Sequence, residues 1–239
     1  QGINTLPYFQ IKFDKKLEAF PIVPTSAITG EGIPELLSIV QLVTQSRMQA
    51  QLASKDELQC SVLEVKIEGG IGTTLDVILV NGELHVNDTI VVAGLNGPIV
   101  THIRALLTPQ PLRELRVKSE WVHHDVVYAA MGCKISAPDL DGAIAGSELF
   151  VAHDDDEIEK YEGMVEADVD SIYSQVDKNG EGVFVQASTL GSLEAFLNHI
   201  KTCGVKASMV GIGPVHRKDV VAISHMVEKD PRYAVILAF

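Results

Sequence analysis

The stretch Leu63–Leu107 reads LEVKIEGGIGTTLDVILVNGELHVNDTIVVAGLNGPIVTHIRALL, and its pattern decides which fold the chain is expected to adopt. Short runs of β-branched and aliphatic residues alternate in it with residue types that favour turns. The predicted strands are Leu75–Val80, Glu83–Val86, Thr89–Ala93 and Ile99–Leu107. We predict that Asn81-Gly82 forms a two-residue hairpin turn, because both residue types tolerate positive φ angles. Strands that repeat about every ten residues predict a small antiparallel β-barrel.

Further turns and strands complete this predicted barrel. The turns are Asn87-Asp88 and Asn96-Gly97-Pro98, and the strands are Trp121–Tyr128, Gly132–Ser136 and Glu148–Ala152. The glycine-rich run Gly69–Thr74 lies between two predicted strands and is not followed by Lys, so we interpret it as a turn or bulge rather than a phosphate-binding loop. His123 and His124 would point to opposite faces of their strand, so we expect a structural role rather than a metal site.

Strands and helices alternate from about residue 154 onward. The predicted helices are 156–177, one that ends near Cys203, and Val215–Glu228; the predicted strands are Val183–Ala187, Val205–Ile212 and Tyr233–Phe239. The acidic run His153–Asp156 is expected to supply the N-terminus of the first helix. Ser188 or Ser192 is expected to cap the second helix, and Gly204 to end it. This order predicts parallel strands with right-handed crossovers.

Two shorter patterns need an interpretation. Gly211-Ile212-Gly213 lies between a predicted strand and a predicted helix, but His216 stands where a dinucleotide-binding fingerprint needs its third glycine. We therefore interpret these glycines as allowing helix and sheet to pack closely. Near the N-terminus, a short strand at Ala19–Val23 is followed by the polar loop Thr25–Ile33 and by a helix predicted over Pro34–Ser54.

The net charge of the 239-residue chain is −13, and it is unevenly distributed. Residues 1–56 carry no net charge, residues 57–153 carry −6, and residues 154–239 carry −7. An acidic protein is a poor general nucleic-acid binder. Four of the six cations in residues 57–153 nevertheless lie between Arg104 and Lys118. Composition alone favours an ordinary solvated loop there.

Cysteine usage and the chain ends also bear on the class of protein. Cys60, Cys133 and Cys203 are far apart and form no CxxC pair, which indicates free thiols in a reducing compartment. No apolar run approaches the roughly 20 residues that a membrane helix needs. The chain begins with Gln1 and ends inside the apolar run Ala234–Phe239, so we expect an internal piece of a longer protein.

Several stretches resemble the family of eukaryotic translation initiation factor 5B and bacterial initiation factor 2. The most specific are GIGTTLDVILVNG at 70–82, LRELRVK at 112–118, VQASTLGSLEA at 185–195 and GIGPVH at 211–216. The resemblance implies that residues 1–56 are the C-terminal part of a GTPase α/β domain and residues 57–153 the antiparallel β-barrel domain II. Residues 154–239 would then be the parallel-sheet α/β/α domain III, incomplete at its C-terminus.

The resemblance also implies contact residues. Thr25-Ser26-Ala27 matches the family's guanine-contacting loop, in which backbone N–H groups donate to guanine O6, an acceptor that adenine lacks. The residues alone fit an ordinary tight βα turn equally well. Domain II would dock on small-subunit rRNA, and we expect Arg113, Arg116 and Lys118, with Arg104 second, to contact its phosphates, because Arg binds phosphate through two parallel bonds.

The family factor, when bound to GTP, promotes joining of the large ribosomal subunit to a small subunit that carries initiator tRNA. The full-length factor would therefore use GTP or GDP with Mg²⁺. This chain has no phosphate-binding loop, switch regions, NKxD motif or tRNA-binding domain. We expect it alone neither to bind GTP tightly nor to hydrolyse it, and we assign it no cofactor, catalytic residue or metal-binding residue.

The expected partners are both ribosomal subunits and rRNA, with initiator tRNA and other initiation factors reached through domains outside this chain. A cytoplasmic monomer without membrane contact is expected. Two alternatives remain open. One is an α/β enzyme that binds a nucleotide at the crevice of the C-terminal sheet. The other is a structural module that spaces a GTPase domain from a tRNA-binding end.

Overall fold

The computed structural model describes residues 4–11, 19–50, 52–53, 57–110, 121–174, 176 and 180–239. It separates into two units, residues 1–54 and residues 55–239. In the first unit, β1 (Thr5–Pro7) runs parallel to β2 (Phe20–Ile22), and α1 follows at Ile33–Arg47. This is the predicted order of strand, loop and helix, although α1 ends at Arg47 rather than at Ser54.

Ten strands lie between residues 59 and 152 in the described part of the second unit. They are β3 (Gln59–Glu68), β4 (Gly72–Asn81), β5 (Glu83–His85), β6 (Thr89–Val92), β7 (Ile99–His102), β8 (Ala105–Thr108), β9 (Val122–His124), β10 (Val126–Tyr128), β11 (Met131–Ser136) and β12 (Glu148–Ala152). Eight form an antiparallel sheet in the order β7-β6-β12-β3-β4-β11-β8-β9, and β5 pairs separately with β10. The antiparallel class is confirmed. Among the described strands the order ends at β7 and β9, so this sheet does not close as a complete barrel would.

Alternation of side chains along the strands builds the core of this sheet. In β4, Leu75, Val77 and Leu79 are at most 1% exposed, whereas Ile78 and Val80 are 41% and 42% exposed. The buried side chains join inward-facing residues of the neighbouring strands in one continuous hydrophobic cluster. Each such side chain contributes about 1.5–3 kcal/mol when fully buried, so this cluster holds the β part together.

The predicted hairpin at Asn81-Gly82 is wrong. Gly82 does turn the chain with a φ of +81°, but β5 then pairs with β10 and not with β4. The reason is that β3 and β11 already occupy both edges of β4. A strand can bond to only two neighbours in a sheet, so no position on β4 remains for β5.

Two runs predicted as single strands each divide into two. The run Ile99–Leu107 becomes β7 and β8, because the Arg104 N–H donates to the Ser136 carbonyl and brings the chain onto β11. The run Trp121–Tyr128 divides at Asp125: β9, before it, pairs with β8, whereas β10, after it, pairs with β5. In both cases a short turn sends the chain to a different partner strand.

The rest of the second unit alternates helices and strands as predicted. Its elements are α2 (Asp155–Tyr173), β13 (Val183–Ala187), α3 (Leu190–Thr202), β14 (Ala207–Ile212), α4 (Arg217–Ser224), α5 (Met226–Lys229) and β15 (Ile236–Ala238). The strands are parallel in the order β14-β13-β15, which confirms the predicted parallel pairing. The single helix predicted at Val215–Glu228 is wrong, because the helix is interrupted at His225, between α4 and α5. The Ser224 hydroxyl donates to the Val221 carbonyl there and competes with the helical pattern.

Side chains cap the first turns of α2 and α3, and a glycine follows the end of α3. Asp154 caps α2 by accepting from the N–H three residues further on at 2.8 Å, as the acidic run predicted. The cap of α3 is Thr189, not Ser188 or Ser192. Ser192 instead completes a reciprocal capping box from the third helical position. Gly204, with a φ of +72°, ends α3 as predicted.

The antiparallel sheet and the helices after it share a second hydrophobic cluster. Val91 of β6 and Ala93, the residue after β6, pack in it with Leu193 of α3. The Ala145 carbonyl also accepts from the Leu190 N–H, at 2.9 Å, at the first residue of α3. Residues 55–239 therefore form one packed unit. Within the ranges that the structure describes, no helix is both long and apolar enough to cross a membrane.

Candidate functional site

The loop that carries Thr25, Ser26 and Ala27 is a closed ring of backbone hydrogen bonds. The Ser26 N–H donates to the Glu31 carbonyl at 2.9 Å, and the Ser26 carbonyl accepts from the Gly30 N–H at 2.9 Å. Gly30 has a φ of +77°, which glycine adopts without strain. Ser26 is therefore the hydrogen-bonding centre of the loop.

Gly32 determines how closely this loop folds back on the strand before it. Its φ is +77°, and a Cβ at this position would overlap the Pro24 carbonyl oxygen. Gly32 is also the N-cap residue of α1, which begins at Ile33. The loop is a tight βα turn, which is the geometry that both interpretations of the sequence required.

Ser26 and Ala27 differ in whether their N–H groups are available to a ligand. The Ser26 N–H is used inside the loop, whereas the Ala27 N–H donates to no acceptor in the described part of the chain. Thr25 and Ala27 are exposed, and the neighbouring Ile28 is 98% exposed. If a guanine base binds at this loop, its O6 can therefore accept from Ala27 without breaking the ring.

Arg104 is exposed and lies immediately before β8. None of the ion pairs among the described residues involves its guanidinium. Arg113, Arg116 and Lys118 lie outside the described residues. Their segment follows the far end of β8, about 13 Å along the strand from Arg104.

Lys134 is the centre of a charge cluster that the sequence interpretation missed. Its side chain is 4% exposed, and its Nζ lies 2.7 Å from Asp76 Oδ1 and 3.4 Å from Glu68 Oε1. The same Nζ lies 5.2 Å from the ring centroid of Trp121. The signal in the sequence is a lysine between Cys133 and Ile135 in a predicted strand, since a buried lysine needs carboxylate partners.

The cysteines do not form a reactive centre. Burial, followed by the neighbouring Cys133, raises the pKa of Cys60 to about 12. Burial, followed by the Asp76 carboxylate, raises the pKa of Cys133 to about 11. Both thiols are therefore protonated near neutral pH and pack as small apolar groups. Cys203 is exposed, and all three are free thiols as the sequence predicted.

The carboxyl end of the parallel sheet is filled by a protein side chain. Gln186 of β13 is 4% exposed, and its Nε2 donates to the Gly213 and Pro214 carbonyls at 2.9 and 3.3 Å. A Cβ on Gly211 would overlap Gln186 Oε1. The close approach that Gly211 permits is therefore to the glutamine side chain. This differs from a dinucleotide site, where the glycines admit a pyrophosphate.

A separate cleft of about 560 Å³ lies on one face of this sheet. Apolar side chains such as Phe184 and Met209 line it, together with Ser208 and Asp219. This lining does not assemble a nucleophile with a general base. No group of His, Cys, Asp and Glu in the described ranges could hold a metal ion.

Comparison with known proteins gives closely similar relatives along the whole chain, although no family model matches it. Eukaryotic translation initiation factor 5B of Saccharomyces cerevisiae is 52% identical over 239 residues, which are 100% of this chain and 24% of that protein. The Homo sapiens protein of the same name is 46% identical, again over 100% of this chain and over 19% of its own length. The crystal structure of GDP-bound aIF5B from Aeropyrum pernix has a TM-score of 0.78 and 39% identity, and covers 99% of this chain and 39% of that one.

The chain is homologous over its whole length to part of initiation factor 5B. The family resemblance predicted from the sequence motifs is thereby confirmed, and so is the multidomain α/β plus β fold class. A protein named probable translation initiation factor IF-2, from Staphylothermus marinus, is 44% identical over 91% of this chain and 36% of its own length. The curated relatives that this chain resembles are thus named as translation initiation factors. The segment spans between 19% and 36% of the length of these three curated relatives.

Proposed function

We propose that this chain acts as part of a cytoplasmic, monomeric, ribosome-dependent GTPase that promotes ribosomal subunit joining with initiator tRNA. The identity of 46–52% to initiation factor 5B over all 239 residues carries this proposal. The whole factor would bind GTP or GDP with Mg²⁺, contact both ribosomal subunits, and reach initiator tRNA and other initiation factors through domains outside this chain. Within it, residues 1–56, 57–153 and 154–239 serve as the end of the GTPase domain, domain II and domain III.

The segment's own task in this proposal is to dock on small-subunit rRNA and to transmit the nucleotide state towards the tRNA-binding end. Arg113, Arg116 and Lys118 contact rRNA phosphates, and Arg104 makes a separate, weaker contact. The guanidinium of Arg104 is exposed and joins no ion pair among the residues that the structure describes, which supports its part. The shared hydrophobic cluster supports transmission, because a packed unit moves as one body.

Thr25, Ser26 and Ala27 form the guanine-contacting side of the nucleotide site in the whole factor. The available N–H of Ala27 supports this role, since guanine O6 is an acceptor. The Ser26 N–H instead keeps the loop closed. The chain alone has none of the phosphate-contacting motifs, so it is expected to show no GTP turnover and no tight GTP binding in equilibrium dialysis.

Co-sedimentation of the chain with small ribosomal subunits, over a series of salt concentrations, tests the docking role. Log affinity falls as log salt concentration rises, and each phosphate contact makes this negative slope steeper by about 0.7–0.9. We expect the triple change Arg113→Ala, Arg116→Ala and Lys118→Ala to make that slope less steep by about 2–3. If affinity and slope both stay at the wild-type values, the rRNA contacts are wrongly assigned.

The matched control removes the same charge from another face. The triple change Lys201→Ala, Arg217→Ala and Lys218→Ala takes away three exposed cations of α3 and α4. The docking role predicts a small loss of affinity and little change in slope for this control. Equal losses in both triple variants would indicate attraction by overall charge and not docking at one surface.

A further inference from the structure

A small cleft, which we call the helix–sheet cleft, lies where α2 and α3 pack against the antiparallel part. It is lined by the turn before β12 and by residues of the two helices. Its volume is about 220 Å³, below the roughly 300–1,000 Å³ of sites that enclose a whole drug-sized ligand. A space of this size suits one inserted side chain.

The buried part of the cleft lining is apolar. Ala93, Val165, Ile172 and Leu190 line it, and each is at most 7% exposed. Such a surface gains stability when it packs against methylene groups. Long side chains with a charged end commonly bury their methylene stem in this way and keep the charge near solvent. The floor of the cleft therefore favours a ligand with an aliphatic portion.

The polar side chains of the lining offer hydrogen-bond acceptors only. Ser147 Oγ donates to the Ile144 carbonyl at 2.9 Å, and Ser171 Oγ donates to the Asp168 carbonyl at 2.8 Å. A hydroxyl has one hydrogen, so both oxygens can only accept from a ligand. Ser147 is 6% exposed, so its remaining lone pair lies away from bulk solvent. The other polar side chains of the lining are the exposed carboxylates of Glu148, Asp168 and Glu194.

An acceptor-only lining above an apolar floor matches the chemistry of an arginine side chain. Its guanidinium has five N–H donors and no acceptor, and it is less strongly hydrated than an ammonium group. A phosphate would meet like charges and further acceptors, so nucleic acid does not fit. A metal ion does not fit either, because no carboxylates in the described ranges are grouped closely enough to hold one.

The surface around the cleft indicates where such an arginine comes from. Helix α2 carries eight carboxylates and one lysine. Among them, Glu159, Glu166 and Asp170 are exposed and lie outside the cleft lining. A chain segment with several basic residues would meet these charges on either side of the inserted arginine, whereas a free small cation would not reach them.

We propose that the helix–sheet cleft binds an arginine side chain from a basic segment of a partner protein. The aliphatic stem packs on the apolar floor, and the guanidinium donates to the carboxylates and hydroxyl oxygens. This contact is independent of the nucleotide and rRNA contacts proposed above. It assigns the chain a protein partner at a surface that repels RNA.

NMR titration of the isotope-labelled chain with the capped peptide Lys-Gly-Arg-Gly-Lys tests the proposal. The amide signals of Gly146 and Gly191, which line the cleft, are expected to shift and to give a dissociation constant. The triple change Glu148→Gln, Asp168→Asn and Glu194→Gln is expected to weaken binding about tenfold. The control Asp125→Asn, Glu181→Gln and Glu228→Gln removes the same charge at exposed positions outside the cleft and should weaken it less than about twofold.

The neutral change Gly191→Leu tests whether the peptide occupies the cleft itself. A Cβ at this position meets no atom within 4 Å, so a larger side chain has room to fill the cleft. We expect most of the binding to be lost. The midpoint of thermal unfolding should not fall, because leucine favours a helix more than glycine does. Wild-type affinity in Gly191→Leu would overturn the proposal.

A second peptide, with lysine in place of the central arginine, tests the chemistry of the inserted side chain. It is expected to bind several-fold more weakly, because an ammonium group has fewer donors and is more strongly hydrated. Equal affinity for the two peptides would show that the cleft does not select arginine. Equal losses in the two triple variants would show attraction by overall charge. Either result would overturn the proposal.

Discussion

The antiparallel part of the chain, residues 57–153, and the parallel part, residues 154–239, are organised by interactions of different range. In the parallel part, helix ends are set by side chains three residues apart, such as Asp154 before α2 and Thr189 with Ser192 before α3. In the antiparallel part, β11 finds both of its partners, β4 and β8, more than twenty residues away in sequence. One part is thus specified mainly by neighbours and the other mainly by distant strands.

The two parts also differ in where their charged side chains lie and in how far these are buried. The antiparallel part gathers Lys66 and Lys134 with carboxylates in a network on one sheet face, where Lys134 is buried. The parallel part carries a group of carboxylates on α2, where Asp155 and Glu157 lie in the first turn and face the positive end of the helix dipole. Within the first group, burial makes Lys134 depend on its carboxylate partners. Solvation leaves most members of the second group replaceable.

The largest expected effect tests whether the two parts are thermodynamically separate at all. Leu193 of α3 is 0% exposed in the cluster that joins both parts. Leu193→Ala is expected to lower the free energy of unfolding by about 2–5 kcal/mol, because it leaves a cavity. Trp121 lies in the antiparallel part, so its fluorescence in a urea titration reports the unfolding of the other side of the interface.

We expect Leu193→Ala to shift the midpoint reported by Trp121 as far as Leu79→Ala does, since Leu79 is equally buried within the antiparallel core. Ile67→Ala serves as the control, because this side chain of β3 is 86% exposed, and it should leave the midpoint unchanged. A Trp121 transition that moves with Leu79→Ala but not with Leu193→Ala would mean that the parts unfold independently.

A smaller effect is expected where the parallel sheet depends on one glycine. In Gly211→Ala the new Cβ overlaps Gln186 Oε1, so the side chain must move and its two hydrogen bonds to the loop after β14 are strained. We expect a loss of about 1–3 kcal/mol in the free energy of unfolding. Urea titration of the single and double variants measures it.

The double variant Gln186→Ala with Gly211→Ala supplies the decisive comparison. Once Gln186 is shortened, the alanine at 211 has room, so its additional cost should nearly vanish, and the coupling between the two sites should exceed about 0.5 kcal/mol. Strictly additive losses would show that Gly211 is needed for another reason, such as its backbone conformation.

The range of interactions also explains which sequence predictions succeeded. The parallel pairing of β13 and β14, the acidic start of α2 and Gly204 at the end of α3 follow from local chemistry, and each is confirmed. The hairpin at Asn81-Gly82 was wrong although its turn residue has a positive φ. Local sequence describes a turn, but it does not reveal that β3 and β11 already occupy both edges of β4.

The candidate site divides in the same way. The tight loop around Ser26 could be predicted, because glycines at 30 and 32 and a strand before them are local signals. That the Ala27 N–H and not the Ser26 N–H is available depends on the bond to Glu31, which no periodicity encodes. The burial of Lys134 under Trp121 could not be predicted either, because it requires knowing that β11 lies beside β4 and two strands from β9.

The smallest expected effect concerns the side-chain cap of α3, one of the local interactions of the parallel part. Thr189 accepts from the Ser192 N–H at 3.2 Å and caps α3, whereas the adjacent Ser188 does not cap this helix. Thr189→Ala is expected to cost about 1 kcal/mol in the free energy of unfolding, and Ser188→Ala much less, because only Thr189 satisfies an N–H of the first turn. Thr189→Ser, which keeps the hydroxyl, is expected to recover most of the loss in the same urea titration. Equal losses from Thr189→Ala and Ser188→Ala would show that the start of α3 is held by packing against the antiparallel part and not by its local cap, and the distinction between the two parts would fail at that point.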